Sequence, residues 1–277
     1  MQPGSGVSVQ PGNRVFVQPG HSNFVQPGDS IFVQPHLDDA ALSCGGTVRR
    51  LAMAGPCRVV TVFDRSPDPA RSLTLFARLL HTMWGAGSDP LPLRRAENAR
   101  ALRILGAIGE GLSLHDALYR DPPVRSSRAL WKHPGPALAP LAEEIAERLV
   151  HVCRGAARVF LPLGIGMHVD HMLCYAAHVQ LRAAGLVVHH YEDFPYAARA
   201  EKRASRLRDV GTLSSFTVDV ADTLQARIDA VRAYASQLGM LGMHRADALV
   251  RRYAVAVSPG GCGERFWTRD PHDVSLR

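Results

Sequence analysis

The sequence lacks a disulfide framework, a secretory leader and any long uninterrupted apolar run. Its five cysteines, Cys44, Cys57, Cys153, Cys174 and Cys262, are odd in number and widely spaced, and no Cys-x-x-Cys occurs. That argues against a pairing scheme and against a thiolate zinc site, and it fits a reducing compartment. The N-terminus has no apolar h-region, and arginine or glycine breaks each long apolar stretch. A cytoplasmic protein without signal peptide or membrane span is expected. Lysine is scarce too: Lys132 and Lys202 are the only two, and arginine supplies the rest of a formal net charge of +7. The arginines are scattered and not interleaved with aromatics, so no nucleic-acid partner is expected. Hydrophobic content of 46% with 21% charged residues marks an ordinary globular chain, and 277 residues suffice for one substantial core.

A short repeat occupies the start. Val-Gln-Pro recurs at Val9, Val17, Val25 and Val33 with a strict eight-residue period, and only the last copy runs on into acidic residues. The period is too short for a solenoid of packed units. Residues 1–28 therefore read as tandem copies of the start of the first core strand, added outside a domain spanning 29–277. They are either a passive tail or competitors for that strand's slot.

From Ile31 onward, strand and helix patterns alternate. Ile31-Phe32-Val33 is an apolar run that stops at Pro35. Ala40 to Ala54 reads as a helix ended by Gly55-Pro56, with the Gly45-Gly46 pair implying close packing against the sheet. Arg58 to Phe63 is a second strand. Residues 64–92 form a proline-rich insertion with one helical piece, of the kind that lies over a site. Leu93 to Leu105 is a helix capped by Gly106, and Leu112-Ser113-Leu114 a short strand ending at His115-Asp116. A second proline-rich loop fills 119–136. A helix from Leu138 to Val152, a strand from Ala157 to Leu161, a helix from Met172 to Ala184 and a strand from Val187 to Tyr191 follow. Phe216 to Val220 is a late strand, Ala221 to Gln237 a helix, and Val255 begins a tail. This order implies an α/β fold with a mainly parallel sheet, in which ligands bind beyond the carboxyl ends of the strands.

Two polar clusters sit at such ends: His36-Leu37-Asp38-Asp39 after the first strand and His168-Val169-Asp170-His171 after Val159-Phe160-Leu161. Imidazole and carboxylate are good ligands for zinc, and a catalytic zinc keeps three protein ligands with one place for water. His36, Asp39 and His171 can supply that set, with Asp38 and His168 left over. A neighbouring carboxylate can act as general base, and a second histidine can stabilise an oxyanion or protonate a leaving amine. Asp170 can hold one of the histidines in its required tautomer.

The pair of motifs resembles the PIG-L/LmbE-like deacetylase family, whose first motif is commonly His-Pro-Asp-Asp-Glu and whose second is His-x-Asp-His or His-x-x-His. The likeness runs from about Ile31 to Trp267 and extends to Arg94-Arg95-Ala96-Glu97 before Leu105-Gly106, to Asp116, and to Tyr191-Glu192-Asp193-Phe194-Pro195-Tyr196. It implies a Rossmann-like, mainly parallel sheet with helices on both faces. It implies His36, Asp39 and His171 as metal ligands, with Zn²⁺ the expected metal and Fe²⁺ a second candidate. It further implies Asp38 as general base, His168 as electrostatic or acid partner, and Arg94 and Asp116 as groups touching the sugar or its substituent. The activity implied is removal of an acetyl group from an N-acetylated sugar or glycoconjugate. Glu192 and Asp193 read as solvated strand-end charges outside the site. Leu37 and Ala40 depart from the family's proline and glutamate, which suggests a different substrate.

Two other readings compete. A Rossmann-like nucleotide or methyl-donor enzyme calls for a Gly-x-Gly-x-x-Gly turn directly after the first strand, where this chain has His-Leu-Asp-Asp. A glycan-binding module without turnover has no need of Asp38 beside a metal. If residues 1–28 are a passive extension, deleting them leaves the thermal unfolding midpoint where it was. A large loss of stability in that deletion, read by calorimetry, rules the passive tail out.

Overall fold

The computed structural model describes residues 17–18, 21–22, 28–239, 243 and 245–269. The repeats therefore lie almost wholly outside the described residues. Within them only a two-residue antiparallel pair is described, β1 (Val17–Gln18) with β2 (His21–Ser22).

The rest alternates as the pattern implies. In order come β3 (Ser30–Gln34), α1 (Asp39–Ala54), β4 (Cys57–Thr61), α2 (Leu75–Met83), α3 (Leu91–Leu105), β5 (Ile108–Gly111) and α4 (Ser127–Leu130). Then follow α5 (Ala139–Val152), β6 (Arg158–Pro162), α6 (Val169–Ala176), α7 (His178–Ala183), β7 (Val188–Tyr191) and α8 (Ala200–Val210). The chain continues through β8 (Ser214–Asp219), α9 (Leu224–Arg232), α10 (Ala235–Leu238), α11 (Ala246–Val257) and β9 (Gly263–Thr268). The seven strands from β3 onward form one sheet in the order β5-β4-β3-β6-β7-β9-β8. Pairs on either side of β3 are parallel, and β9 alone runs against its neighbours. The α/β class and the mainly parallel sheet are as expected.

Side chains alternate between the two faces of each strand, and both faces are covered, so β3 is buried along its whole length. Ile31 and Val33 face a core with Val159, Leu161, Ile145, Leu149 and Leu173. Phe32 faces the other, stacked on Phe160 at 4.3 Å between ring centroids, with Val48, Leu105 and Phe266. Among the described residues no helix is long and apolar enough to cross a membrane.

Helix α1 is two helical pieces joined at Cys44, whose φ of −146° leaves the helical region. The break frees amides that the carboxylate of Glu264, on β9, accepts: Gly46 N–H at 2.9 Å and Thr47 N–H at 2.8 Å. The fully buried Arg227 donates to the same carboxylate at 3.0 Å. The glycine pair is explained here. A Cβ on Gly46 would lie 2.8 Å from Val220 Cβ and 2.9 Å from Glu264 Oε1, and one on Gly45 3.0 Å from Arg227 Cγ. The close packing expected of the pair is therefore against α9 and the β9 carboxylate.

Several expected boundaries move. The third strand in sequence is Ile108–Gly111, and Leu112-Ser113-Leu114 lies beyond it, with Ser113 at φ 54°. The expectation followed apolar residues, whereas this exposed edge strand reads Ile-Gly-Glu-Gly. Leu112 and Leu114 still donate to Thr61 and Val62 carbonyls. Helix α3 starts at Leu91 because Pro92 fits a first turn, where its missing N–H is no loss. Helix α6 starts at Val169 and breaks at Ala177, and the helix expected over 221–237 divides into α9 and α10. The expected C-terminal tail instead contributes the last three residues of α11 and the whole of β9, which inserts between β7 and β8.

Removing one partner from a buried ion pair typically costs about 3–5 kcal/mol. Glu264→Ala is expected to lose about that much stability, since it strands both Arg227 and the Gly46 and Thr47 amides. The check is a lower denaturant midpoint at unchanged m-value.

Candidate active site

β3 and β6 are neighbours, paired in parallel from Ser30↔Arg158 to Phe32↔Phe160. The chain builds β4 and β5 on one side of β3 and then crosses to β6 on the other. The loops past β3 and β6 thus diverge at a topological switch point, where a crevice opens. His36 to Asp39 lie past β3 and His168 to His171 past β6, so more than 120 residues of sequence separation collapse to side-chain contact. The His36 ring centroid is 5.0 Å from that of His168 and 5.5 Å from that of His171.

Each polar group is held by local geometry. Gly164 and Gly166 take φ of 82° and 95° in the turn after β6, and a Cβ on Gly166 would press on the Tyr196 ring at 3.0 Å. The turn delivers His168 as the N-cap of α6, its Nδ1 accepting from Asp170 N–H at 3.3 Å. An accepting Nδ1 places the proton of a neutral ring on Nε2. His36 N–H donates to Asp39 Oδ2 at 2.8 Å, which folds the first loop tightly.

His36, Asp39 and His171 each present one ligand atom within 4.8 Å of the others. Asp39 Oδ2 is 3.4 Å from His36 Nδ1, and Asp39 Oδ1 is 3.4 Å from His171 Nε2. The far nitrogen of each ring meets its own acid. His36 Nε2 lies 3.0 Å from Asp170 Oδ2, and His171 Nδ1 lies 2.7 Å from Asp193 Oδ1. Carboxylates only accept, so each ring donates its outer N–H to the acid behind it, and its inner nitrogen, on the Asp39 side, is the one placed to serve as a ligand. This is the carboxylate–histidine arrangement that orients metal ligands, and the donor set fits a divalent cation such as zinc. A second grouping, His36 with His168 and Asp170, also comes within that range. It fits less well, because Asp170 is fully buried and already accepts from Ala117 N–H at 3.2 Å and pairs with Arg120.

Electrostatics divide the acids. Burial raises the pKa of Asp39, but the His171 and His36 partners outweigh it and bring it down to about 2. Asp38 moves the other way: burial raises it, and the Arg94 guanidinium, 3.5 Å away, offsets only part. Burial and the neighbouring His36 and His171 push His168 well below the ordinary histidine range, so its ring is neutral.

These groups floor a cleft of about 480 Å³. Asp38, Arg94 and Asp116 line it together with His36, Asp39, His168 and His171, whereas Asp170 stands behind His36. Arg94 is buried and packs on Trp84 at 5.3 Å, so it is not a solvated helix charge. Asp116 Oδ2 lies 3.4 Å from His36 Nε2, while its Oδ1 caps the turn at Leu118 N–H. The proline-rich insertion supplies a wall through Phe76, Leu80 and Trp84. Asp193 corrects the sequence reading. It is 1% exposed, accepts from Ile165 N–H at 2.8 Å and anchors His171. Glu192 is likewise buried, among Tyr253, Arg265 and Trp267. The signal for Asp193 was its place past β7, one strand from β6. Arg120 had no sequence signal.

A family model described as PIG-L: GlcNAc-PI de-N-acetylase matches residues 31–182. A 2'-N-acetylparomamine deacetylase of Streptomyces fradiae is 29% identical over 212 residues, covering 73% of this chain and 71% of that protein. The enzyme of the same name from Niallia circulans is 31% identical over 181 residues, covering 58% and 65%. Among solved structures, the zinc-inhibited form of a teicoplanin deacetylase aligns with a TM-score of 0.73 at 25% identity, over 86% of this chain and 97% of that one.

Loss of an acid behind a histidine ligand typically weakens metal binding by about 10–100-fold. Asp193→Asn is expected to weaken Zn²⁺ affinity by that factor, measured by competition with a chromophoric chelator. Unchanged affinity would mean that the charge of Asp193 does not tune His171 as a ligand.

Proposed function

The chain belongs to the family described as PIG-L: GlcNAc-PI de-N-acetylase, and on that premise we propose that it is a divalent-metal-dependent N-deacetylase of an amino sugar or a sugar-bearing metabolite. The observation that carries this reading is the pair of acid-backed imidazoles turned inward on Asp39, with Asp38 beside them in the same cleft.

When bound, a divalent cation supplies Lewis acidity toward an amide carbonyl and toward water. His36, Asp39 and His171 are the residues that hold it, and Asp170 and Asp193 fix their tautomers. Asp38 takes the proton of the attacking water. Its raised pKa brings its proton affinity closer to the working pH, and proton transfer is most effective there. His168, neutral with its proton on Nε2, donates to the oxygen that gains charge as the carbonyl becomes tetrahedral. Arg94 keeps Asp38 oriented, and Arg94 and Asp116 line the cleft where sugar hydroxyls pass. Apolar walls exclude water around these charges and strengthen them.

The similar teicoplanin enzyme is described in a zinc-inhibited form, so the test varies both the identity and the amount of the cation. The protein is loaded with Zn²⁺ or Fe²⁺ and offered N-acetylglucosamine, N-acetylglucosaminyl conjugates and 2'-N-acetylparomamine, with free acetate measured. Acetate release that stops on chelation is the expected result. Asp38→Asn should lower kcat by about a hundred- to ten-thousand-fold while keeping its metal. No acetate from any compound with either metal, together with saturable sugar binding, would favour a binding module instead.

A further inference from the structure

Away from the imidazole cluster, the cleft walls carry positive charge alone. The carboxylates lining the cleft are Asp38, Asp39 and Asp116, and each lies within 3.5 Å of Arg94, His36 or His171. The cations are Arg94, Arg199 and Lys202. Arg94 is committed to Asp38. Arg199 and Lys202 form no ion pair with a carboxylate among the described residues.

Lys202 is held in place without being neutralised. Its half-buried side chain sets Nζ 5.7 Å from the Trp131 ring centroid and 5.6 Å from that of Tyr196. The two rings meet at 5.0 Å, inclined 68° to each other. Aromatic faces attract an ammonium, so the pair restrains a long flexible stem and leaves its charge intact. The same rings reach the reaction centre: Trp131 lies 5.0 Å from the His168 ring and Tyr196 6.4 Å from the His171 ring. One aromatic ring therefore separates the ammonium from each imidazole. In a chain with only two lysines, this position carries a compact charge with three donors instead of a planar guanidinium.

We propose that Lys202, backed by Arg199, determines specificity by taking a carboxylate or phosphate carried by the substrate, about one aromatic ring away from the N-acetyl group that is cleaved. The inference rests on the deacetylase reading. The same charge repels a substrate rich in ammonium groups, such as the 2'-N-acetylparomamine for which two relatives are named.

The test compares kcat/KM of the metal-loaded full chain on four probes. These are N-acetylglucosamine, N-acetylglucosamine 6-phosphate, N-acetylmuramic acid and 2'-N-acetylparomamine. A partly buried charge pair of about 1.4 kcal/mol corresponds to tenfold, so the wild type should favour at least one anionic probe over the neutral one by about that factor and disfavour the cationic one. Lys202→Gln should bring the anionic-to-neutral ratio to about one, Lys202→Glu should reverse it, and Lys202→Arg should retain most of it. Ratios within one variant are unaffected by a general loss of folded enzyme. Preference for the phosphate or for the carboxylate identifies the group recognised. Turnover with a ratio that Lys202→Gln leaves unchanged overturns this proposal and leaves the deacetylase reading standing. Turnover of none of the four overturns both.

Discussion

The parallel pairing of β3 with β6 is the constraint on which the cleft depends. Parallel strands cannot be joined by a tight turn, so the chain must leave β3, complete β4 and β5, and return across the sheet. That detour places paired residues of the two sheet neighbours 128 positions apart in sequence and leaves their outgoing loops unlinked to each other. Phe32 stacked on Phe160 fixes the register one side chain below the site. A slip of one residue would turn Phe32 toward the other core and carry His36 with it. The geometry of the cleft floor is thus set by apolar packing that lies outside the cleft.

Buried charge does the second part of the positioning. Asp170 and Asp193 are inaccessible or nearly so, and each is satisfied on several sides. Asp170 has Arg120, Ala117 N–H and His36; Asp193 has Ile165 N–H and His171. Such networks contribute little net stability, because desolvation offsets the attraction. Their effect is to leave each imidazole one tautomer and one orientation. The Glu264–Arg227 pair has the same character at greater distance. It replaces the hydrogen bonds lost where α1 breaks at Cys44, and that break sets the direction of the helix whose first residue is Asp39.

The legible part of this molecule was the part written in local pattern. Ile31 to Val33 and Val159 to Leu161 are continuous apolar runs soon ended by proline, and a polar cluster follows the first after two intervening residues and the second after six. Strand order alone then brought His36 and His171 together past the carboxyl ends of two neighbouring interior strands. What escaped was written in pairings between distant residues. Glu264 is one glutamate in an unremarkable stretch, and nothing near it points to Gly46, 218 residues earlier. β9 reads as a tail because its value lies in the slot between β7 and β8. β5 escaped because this mostly exposed edge strand reads Ile-Gly-Glu-Gly, with no apolar alternation to mark it. Asp193 looked like solvent-facing charge because its partner, His171, belongs to another loop.

Leu37 joins these threads. It stands between His36 and Asp38, where the family commonly has proline, yet it is 3% exposed and packs with Trp84, Leu91, Leu118 and Tyr119. Ala77 of α2 belongs to the same cluster, and Phe76 and Leu80 pack against it. The loop that carries the proposed ligand and base is therefore also the anchor of the insertion that walls the cleft. Ala40, where glutamate is common, is fully buried, and its N–H donates to Gln34 Oε1 at 3.2 Å. Gln34 in turn donates to Thr61 Oγ1 at 2.9 Å, so a neutral amide organises the space behind the loop. Both departures leave the donor atoms alone and act on what surrounds them. On the proposed function, such a change of cleft wall around a kept donor set is the way one chemistry would be turned toward a different substrate, and the positive charge of Arg199 and Lys202, unpaired among the described residues, belongs to that altered wall.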